Sequence, residues 1–265
     1  MSNSTHNITA RSLVMSLFNS SRANTLNINQ LIRSGKLFDI EDSAIRMAVT
    51  RLFKEQLIES PERGIYQSGG KSHNLNIEIQ SWQNTLHQIK PWNKQWLMVL
   101  TTHLGRTNKT QLNASKRSFN LCGFAEAEKG VWVRPNNLNT TVNQLYNRLT
   151  GIGMPSKAHL IATENVANSI EKSWCDLWPI KTLEANYRTA NNEIQSSLIK
   201  LSTQSIEASA KESLLLGESI IRQINLDPLL PNEMINNQLR SDVISNMKNY
   251  NDIGQQYWQR FLELT

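Results

Sequence analysis

The chain has 265 residues and a hydrophobic content of 39%, enough for two or three separately packed domains. It lacks the run of about eighteen apolar residues that a membrane-spanning helix needs, and its first residues lack the pattern of a secretory signal. Two distant cysteines and five scattered histidines argue against a disulfide framework and a metal site. We therefore expect a cytoplasmic protein without a cofactor.

The net charge of +6 is concentrated in the middle of the chain. Residues 71–165 hold 11 Lys and Arg against 4 Asp and Glu, whereas residues 166–265 hold 9 against 12. A basic segment of this size suits an anionic partner such as DNA or a phosphorylated ligand.

Residues 1–70 have the element order of a winged helix-turn-helix domain. Two amphipathic stretches, "RSLVMSLF" and "LNINQLIRSGKLF", predict the first two helices, and Gly35 is placed to cap the second at its C-terminus. The acidic stretch "DIEDS" is expected to supply N-capping side chains to a third helix. Two strand-like runs, "LIES" and "GIYQS", then flank "PER" and Gly64 as a hairpin.

The third helix, over Glu41–Gln56, has two distinct faces. At 100° per residue, an apolar stripe predicts the core-facing side, which comprises Ile45, Ala48, Val49, Leu52 and Phe53. The opposite face carries three cations, two hydroxyls and no carboxylate, and comprises Ser43, Arg46, Met47, Thr50, Arg51 and Lys54.

This polar face fits the major groove of DNA. An arginine can donate two hydrogen bonds to guanine, and a hydroxyl or a lysine can reach a base edge or a phosphate. Arg63, in the hairpin turn, would contact a phosphate or the minor groove. A merely solvated surface has a similar composition, but the position of this helix as the third one, just before a hairpin, favours DNA binding.

The rest of the chain divides into a mixed and a helical region. Residues 71–170 follow a "GGKS" linker at Gly69 and alternate strands with helices, which predicts a ferredoxin-like domain. Residues 171–265 are helical, with a turn at "NLDPLLPNE". The expected fold class is α+β. The seven tryptophans could line an aromatic pocket, although core packing is their commoner use.

Several separated stretches resemble the PaaX-type transcriptional repressors of phenylacetate catabolism. "ARSLVMSLF", "IRMAVTRLFKEQLIES" and "GIYQSG" look like the first helix, recognition helix and wing of that family, while "WNKQWLMVL" and "GFAEAEKGVWVRPNNL" are similar to its middle domain. "LDPLLPNEMI" resembles its C-terminal motif. However, "NNQLRSD" stands where the family usually has a tryptophan-containing W-x-G stretch, which puts the local packing and the effector in question.

The resemblance implies a non-enzymatic, dimeric repressor that binds a palindromic double-stranded operator. It also implies release by an acyl- or aryl-coenzyme A thioester such as phenylacetyl-coenzyme A. Arg46, Thr50 and Arg51 match the DNA-reading segment of the family. A regulator with another effector, or with none, remains an alternative.

Two further interpretations concern the middle domain. Lys109, Lys116, Arg117 and Arg134 could contact operator phosphates or hold coenzyme A phosphates, and Arg134 at a strand end is the least arbitrary candidate. The domain is also similar to CRISPR-associated spacer-acquisition proteins, some of which are metal-dependent nucleases. Such chemistry needs a carboxylate at the end of the first strand to hold the metal ion. This chain has "VLTTHL" there, with no carboxylate, so we expect a scaffold or sensor and not a nuclease.

Overall fold

A computed structural model describes residues 8–20, 25–70, 81–105 and 107–264. Its α-helices are α1 (Ala10–Ser20), α2 (Ile28–Lys36), α3 (Asp42–Lys54), α4 (Lys109–Leu121), α5 (Val142–Gly151), α6 (Asn168–Cys175), α7 (Ile180–Leu201), α8 (Ile206–Asn225) and α9 (Asn237–Glu263). Its strands are β1 (Leu26–Asn27), β2 (Ile58–Glu62), β3 (Ile65–Ser68), β4 (Trp96–Leu100), β5 (Ala125–Glu128), β6 (Val131–Pro135) and β7 (His159–Thr163). A 3-10 helix spans Ser81–Gln88.

The chain forms two compact units. The first comprises Met1–Gln83, Ala190–Ile221 and Ile244–Thr265, and the second comprises Asn84–Thr189 and Arg222–Val243. Each of α7, α8 and α9 contributes residues to both units. The predicted linker lies only partly within the described residues, because Lys71 and Ser72 fall outside them. Among the described helices, none is both long and apolar enough to cross a membrane.

Two of the predicted helix caps in the first unit are wrong. Helix α2 begins with a capping box, in which Asn27 Oδ1 accepts from Gln30 N and Gln30 Oε1 accepts from Asn27 N. It continues past Gly35 to Lys36, so Gly35 is not its C-terminal cap. Similarly, the N-cap residue of α3 is Glu41, and its side chain makes no capping hydrogen bond. The acidic stretch before α3 therefore does not supply the predicted N-terminal cap.

Gly35 instead permits a close approach of α2 to α3. A Cβ atom at this position would lie 2.8 Å from Ile45 Cγ1, closer than side chains normally pack. Ile45 is fully buried and belongs to α3. A helical glycine is less favourable than alanine in isolation, so here the packing requirement outweighs the helix propensity.

The hairpin of the first unit is confirmed and gains a third strand. Strands β2 and β3 pair antiparallel around a two-residue turn, because Glu62 is opposite Ile65. Strand β1, which the sequence did not reveal, pairs antiparallel with β3 and gives the order β1-β3-β2. Three helices and this small sheet form the predicted winged helix.

The core of the winged helix extends beyond residues 1–70. Its buried members include Leu13, Leu17 and Leu31 from the N-terminal helices. Residues of α8 and α9 join the same cluster, namely Ala210, Leu214, Trp258, Phe261 and Leu262. Within the first unit, the apolar faces of α1 to α3 are therefore covered in part by the C-terminal helices.

The second unit contains the predicted ferredoxin-like domain. The elements follow the order β4-α4-β5-β6-α5-β7, and the antiparallel sheet has the order β5-β6-β4-β7. Residues of the sheet and its helices form one core, which includes Leu97, Val99, Phe119, Trp132 and Leu149. The α+β fold class is thus confirmed, and the one strand that the sequence did not reveal here is β5.

The tryptophans serve in core packing, the commoner of the two uses considered from the sequence. All seven are at most 8% exposed. Trp96 packs edge-on against Trp92 and Trp174, with ring centroids 5.3 and 5.2 Å apart, and stacks on Trp178. This aromatic cluster belongs to the core of the second unit.

A buried polar cluster fixes the "LDPLLP" segment between α8 and α9. Asp227 Oδ1 accepts from Arg240 Nη1 at 3.2 Å and from Leu229 N at 2.7 Å, while its Oδ2 accepts from Tyr187 Oη. Arg240 Nη2 donates to Leu230 O at 2.7 Å. The side chains of Asp227 and Arg240 are 3% and 2% exposed, so this ion pair is almost fully removed from water.

Candidate nucleic-acid interface

Helix α3 buries four of the five residues that were assigned to its apolar stripe. Ile45, Ala48, Val49 and Leu52 are buried, with exposures of 7% or less. The assignment of Phe53 to the core is wrong, because its side chain is 50% exposed. Position 53 lies about 100° around the helix from Leu52, beyond the width of α3 that the core covers.

The opposite face of α3 is exposed along its whole length. Every member predicted to contact DNA is exposed, namely Ser43, Arg46, Met47, Thr50, Arg51 and Lys54. Met47 is 54% exposed although it is apolar. The structure therefore brings the six predicted residues of this helix together on one accessible surface, which we call the α3 face.

The cations of the α3 face are available for an external partner. Arg46 and Lys54 form no ion pair and no side-chain hydrogen bond within the described part of the chain. Thr50 Oγ1 donates to Arg46 O at 2.9 Å, which fixes the hydroxyl and leaves its lone pairs open as acceptors. A helix face with unpaired cations attracts polyanions.

The wing presents a single cation at its tip. Arg63 and Gly64 form the two-residue turn, in which Gly64 has a φ of +80° that glycine adopts without strain. The single proton of Ser60 Oγ is shared between Glu62 O at 2.6 Å and Ile65 O at 2.9 Å, which steadies the turn. Arg63 is exposed and has no ion pair within the described residues.

Helix α2 is anchored to the end of α9 rather than free for DNA. Arg33 Nη2 donates to the carbonyls of Phe261 and Leu262 at 2.9 Å, and Gln30 Nε2 donates to Leu262 O at 3.0 Å. The last carbonyls of a helix lack partners inside it, and these donors supply them. Sequence inspection missed this contact, because the partners are more than 220 residues apart.

A second unpredicted contact lies beside the α3 face. Arg11 of α1 donates two hydrogen bonds to Glu55, from Nη1 to Oε1 at 2.9 Å and from Nη2 to Oε2 at 2.6 Å. The Arg11 hydrogen bond is the main reason that the pKa of Glu55 lies below its usual value, and the charge of Arg51 adds to the effect. No local sequence pattern predicts this pair, which joins residues 44 positions apart.

Arg134 lies inside the second unit, away from the α3 face. It is 1% exposed, and its guanidinium donates to Pro135 O at 3.1 Å, to Asn137 Oδ1 at 3.2 Å and to Cys122 O. Burial lowers its pKa to about 10, so it remains a cation at neutral pH. These internal acceptors give Arg134 a structural role. The other three candidate cations of the middle domain, Lys109, Lys116 and Arg117, are exposed on α4.

The end of the first central strand carries no cation-binding carboxylate. Strand β4 ends at Leu100 and is followed by Thr101, Thr102 and His103. Throughout the described ranges, no group of three or more His, Cys, Asp or Glu side chains is arranged to hold a metal ion.

Comparison with known proteins agrees with this architecture. The model of the family described as PaaX-like protein matches residues 9–69, and that of the PaaX protein central Cas2-like domain matches residues 89–174. The fold is similar to that of the uncharacterized protein Rv0674 from Mycobacterium tuberculosis, with a TM-score of 0.63 and 18% identity over 93% of this chain and 99% of the other. No curated protein matches the chain.

The two family matches coincide with the winged helix and with the ferredoxin-like sheet, and together they cover more than half of the chain. They follow in the order that the elements require. The chain therefore belongs to the PaaX-type family of transcriptional regulators.

Proposed function

We propose that this chain is a cytoplasmic, dimeric repressor that recognises a specific double-stranded DNA sequence through the α3 face. The observation that carries the proposal is the exposure of this face, where Arg46 and Lys54 have no partner within the described residues. A third helix followed by a wing is the usual DNA-docking geometry of winged helices, and family membership agrees with it.

Each side chain of the α3 face has a role suited to its chemistry. Arg46 and Arg51 would donate bidentate hydrogen bonds to guanine O6 and N7. Ser43 would bond to a base edge or a phosphate. Thr50 would accept a hydrogen bond from a base edge, because its own proton goes to Arg46 O, and Met47 would pack against a thymine methyl group. Lys54 would neutralise a phosphate, as would Arg63 unless it enters the minor groove.

The division of labour in this proposal follows the three regions of the sequence. Residues 1–70 would contact DNA, and residues 71–170 would act as a scaffold or sensor. Residues 171–265 form the helical C-terminal region, whose last two helices cover part of the winged-helix core. The chain would act as a homodimer, because a symmetric pair of recognition helices reads two copies of a half-site.

Selection from a randomised duplex library by the full-length protein tests DNA recognition and symmetry together. We expect enrichment of a two-fold symmetric site with half-sites about 10 base pairs, or a multiple of that, apart. Enrichment of one asymmetric half-site would contradict the dimer. Failure to enrich any sequence at low salt would contradict the proposed function.

The proposed signal for release is an acyl- or aryl-coenzyme A thioester, with phenylacetyl-coenzyme A as the first candidate. Its support is the family and the exposed cations of α4, which suit coenzyme A phosphates. Arg134 is not among these contacts in the proposal, because its donors serve internal acceptors.

Thermal-shift titration separates this effector from other possibilities. A ligand that binds the folded protein raises the melting temperature as its concentration increases. We expect phenylacetyl-coenzyme A to raise it more than free coenzyme A and to release the selected DNA. If no thioester does so, the chain is a winged-helix regulator with an unrelated effector or with none.

A further inference from the structure

Arg11 of α1 and Glu55 at the C-terminal end of α3 form a bidentate ion pair. Two parallel hydrogen bonds of 2.9 and 2.6 Å join the guanidinium to the carboxylate, and both side chains are about half exposed, at 49% and 47%. An exposed pair contributes little to stability, because water solvates both charges in its absence. Its bidentate geometry nevertheless fixes where the carboxylate points.

A second cation lies within reach of the same carboxylate. Arg51 precedes Glu55 by four residues, and the cap residue Glu55 keeps a helical backbone with φ −79° and ψ −4°. Side chains four residues apart in a helix are neighbours. Arg51 already lowers the pKa of Glu55 through its charge, yet it forms no ion pair or side-chain hydrogen bond in the described part of the chain.

We propose that Arg11 is a positioning residue for DNA recognition, which holds Glu55 away from Arg51. Without Arg11, Glu55 would turn to Arg51 and form an i, i+4 pair with it, so that Arg51 would have to break this pair before donating to a base. The released carboxylate would also stand beside the α3 face and repel the phosphates of the duplex. This inference rests on the proposed function, since it concerns the readiness of the same face.

Helix α1 is held in place by buried apolar side chains, so the positioning role of Arg11 can be tested apart from any effect on the fold. Leu13, Val14 and Leu17 of α1 are fully buried in the core of the winged helix. The helix position therefore does not depend on Arg11, and removal of the exposed pair should leave the fold unchanged. A purely structural pair would instead show its effect in the melting temperature.

A double-mutant cycle on the library-selected duplex tests the proposal. The variants are Arg11→Ala, Glu55→Gln and Arg11→Ala/Glu55→Gln, each titrated with the duplex at one fixed salt concentration. We expect Arg11→Ala to weaken binding about three- to fivefold, from the new pair with Arg51 and the repulsion of phosphates. Glu55→Gln and the double variant should both bind within about twofold of wild type, because neither has a carboxylate to misplace.

Two controls complete the design. In an Arg51→Ala background, the effect of adding Arg11→Ala should be smaller but not absent, because only the repulsion of phosphates by Glu55 remains. Arg11→Lys should retain part of the wild-type affinity. Melting temperatures of all variants should agree within the error of the measurement.

The outcomes distinguish this inference from the proposed function. If wild type binds its duplex but Arg11→Ala binds equally well, Arg11 has no positioning role. If the loss in Arg11→Ala persists in the Glu55→Gln background, Arg11 contacts DNA directly, and the inference is again wrong. A wild-type protein that binds no duplex would instead overturn the proposed function itself.

Discussion

Arg240→Met should strongly destabilise the second unit. The substitution keeps the approximate volume of the side chain but removes the cation from a pair whose members are 2% and 3% exposed. It leaves the carboxylate of Asp227 buried with hydrogen bonds from Leu229 N and Tyr187 Oη, and it leaves Leu230 O without its donor.

The magnitude follows from the loss of one partner of a buried ion pair. Such a loss costs about 3–5 kcal/mol in the free energy of unfolding, chiefly because the remaining charge stays buried and uncompensated. A matched control is Arg188→Met, where the arginine side chain is 56% exposed and its Nη2 lies 3.4 Å from Glu184 Oε2, one helical turn away. Loss of that exposed pair should cost less than about 0.5 kcal/mol.

The assay is urea unfolding of the full-length protein, followed by tryptophan fluorescence and by circular dichroism. Five of the seven tryptophans lie in the second unit, four of them in the cluster around Trp96, so fluorescence reports mainly on this unit. Adding Asp227→Asn to Arg240→Met should recover about 1–3 kcal/mol, since it removes the uncompensated charge. A loss below about 1 kcal/mol for Arg240→Met would refute the reasoning.

Two further predictions address the α3 face and the pH dependence of stability. Met47→Ala should weaken binding to the selected duplex about five- to tenfold. Replacement of the contacted thymine by uracil, which lacks the methyl group, should weaken binding by the wild type but not by the variant. Equal sensitivity of both proteins to this replacement would exclude a methyl contact. Burial raises the pKa of Tyr250, whose hydroxyl hydrogen-bonds with Ser197 Oγ at 2.8 Å, to about 12. Its contribution to stability is therefore complete below pH 10, the ordinary tyrosine value, and is lost as the pH rises from 10 to about 12. Over that window Tyr250→Phe should reduce the steepness of the stability loss by about 1.4 kcal/mol per pH unit; an unchanged slope in alkaline urea titrations would contradict this.

Periodicity predicted the regular elements well because they are set by local burial. The apolar spacing of α3 and the continuous apolar run of β4 each follow from residues a few positions apart. Phe53 shows the limit of this reasoning. Its angle placed it at the edge of the stripe, and the side chain is 50% exposed because the width of the covered face depends on distant elements.

Contacts between distant residues could not be predicted from spacing. The docking of α2 on α9 joins Gln30 to Leu262, and the pair beside the α3 face joins Arg11 to Glu55. Gly35 is a further case, since glycine near a helix end is a common C-terminal cap. Only the position of Ile45 in the structure shows that Gly35, which has no side chain, permits the close packing of α2 and α3.

The exposure of the candidate residues was better predicted on the helix than in the middle of the chain. The six residues of the α3 face share one helix, so their common exposure follows from helical geometry alone. Arg134 ends a strand, and its burial depends on Cys122, Pro135 and Asn137 around it. Charge at a strand end therefore did not indicate whether the side chain faced solvent.

The central claim is that the α3 face reads a DNA sequence, and its most direct measurement is a titration at fixed salt. Wild type, Arg46→Ala and Arg51→Ala are compared on the selected duplex and on one with the contacted guanines replaced, with Arg188→Ala as an exposed control outside the winged helix. Each α3 variant should lose about 1–3 kcal/mol of binding free energy on the selected duplex and lose its preference at one base pair. Unchanged affinity and sequence preference in both variants would contradict the claim.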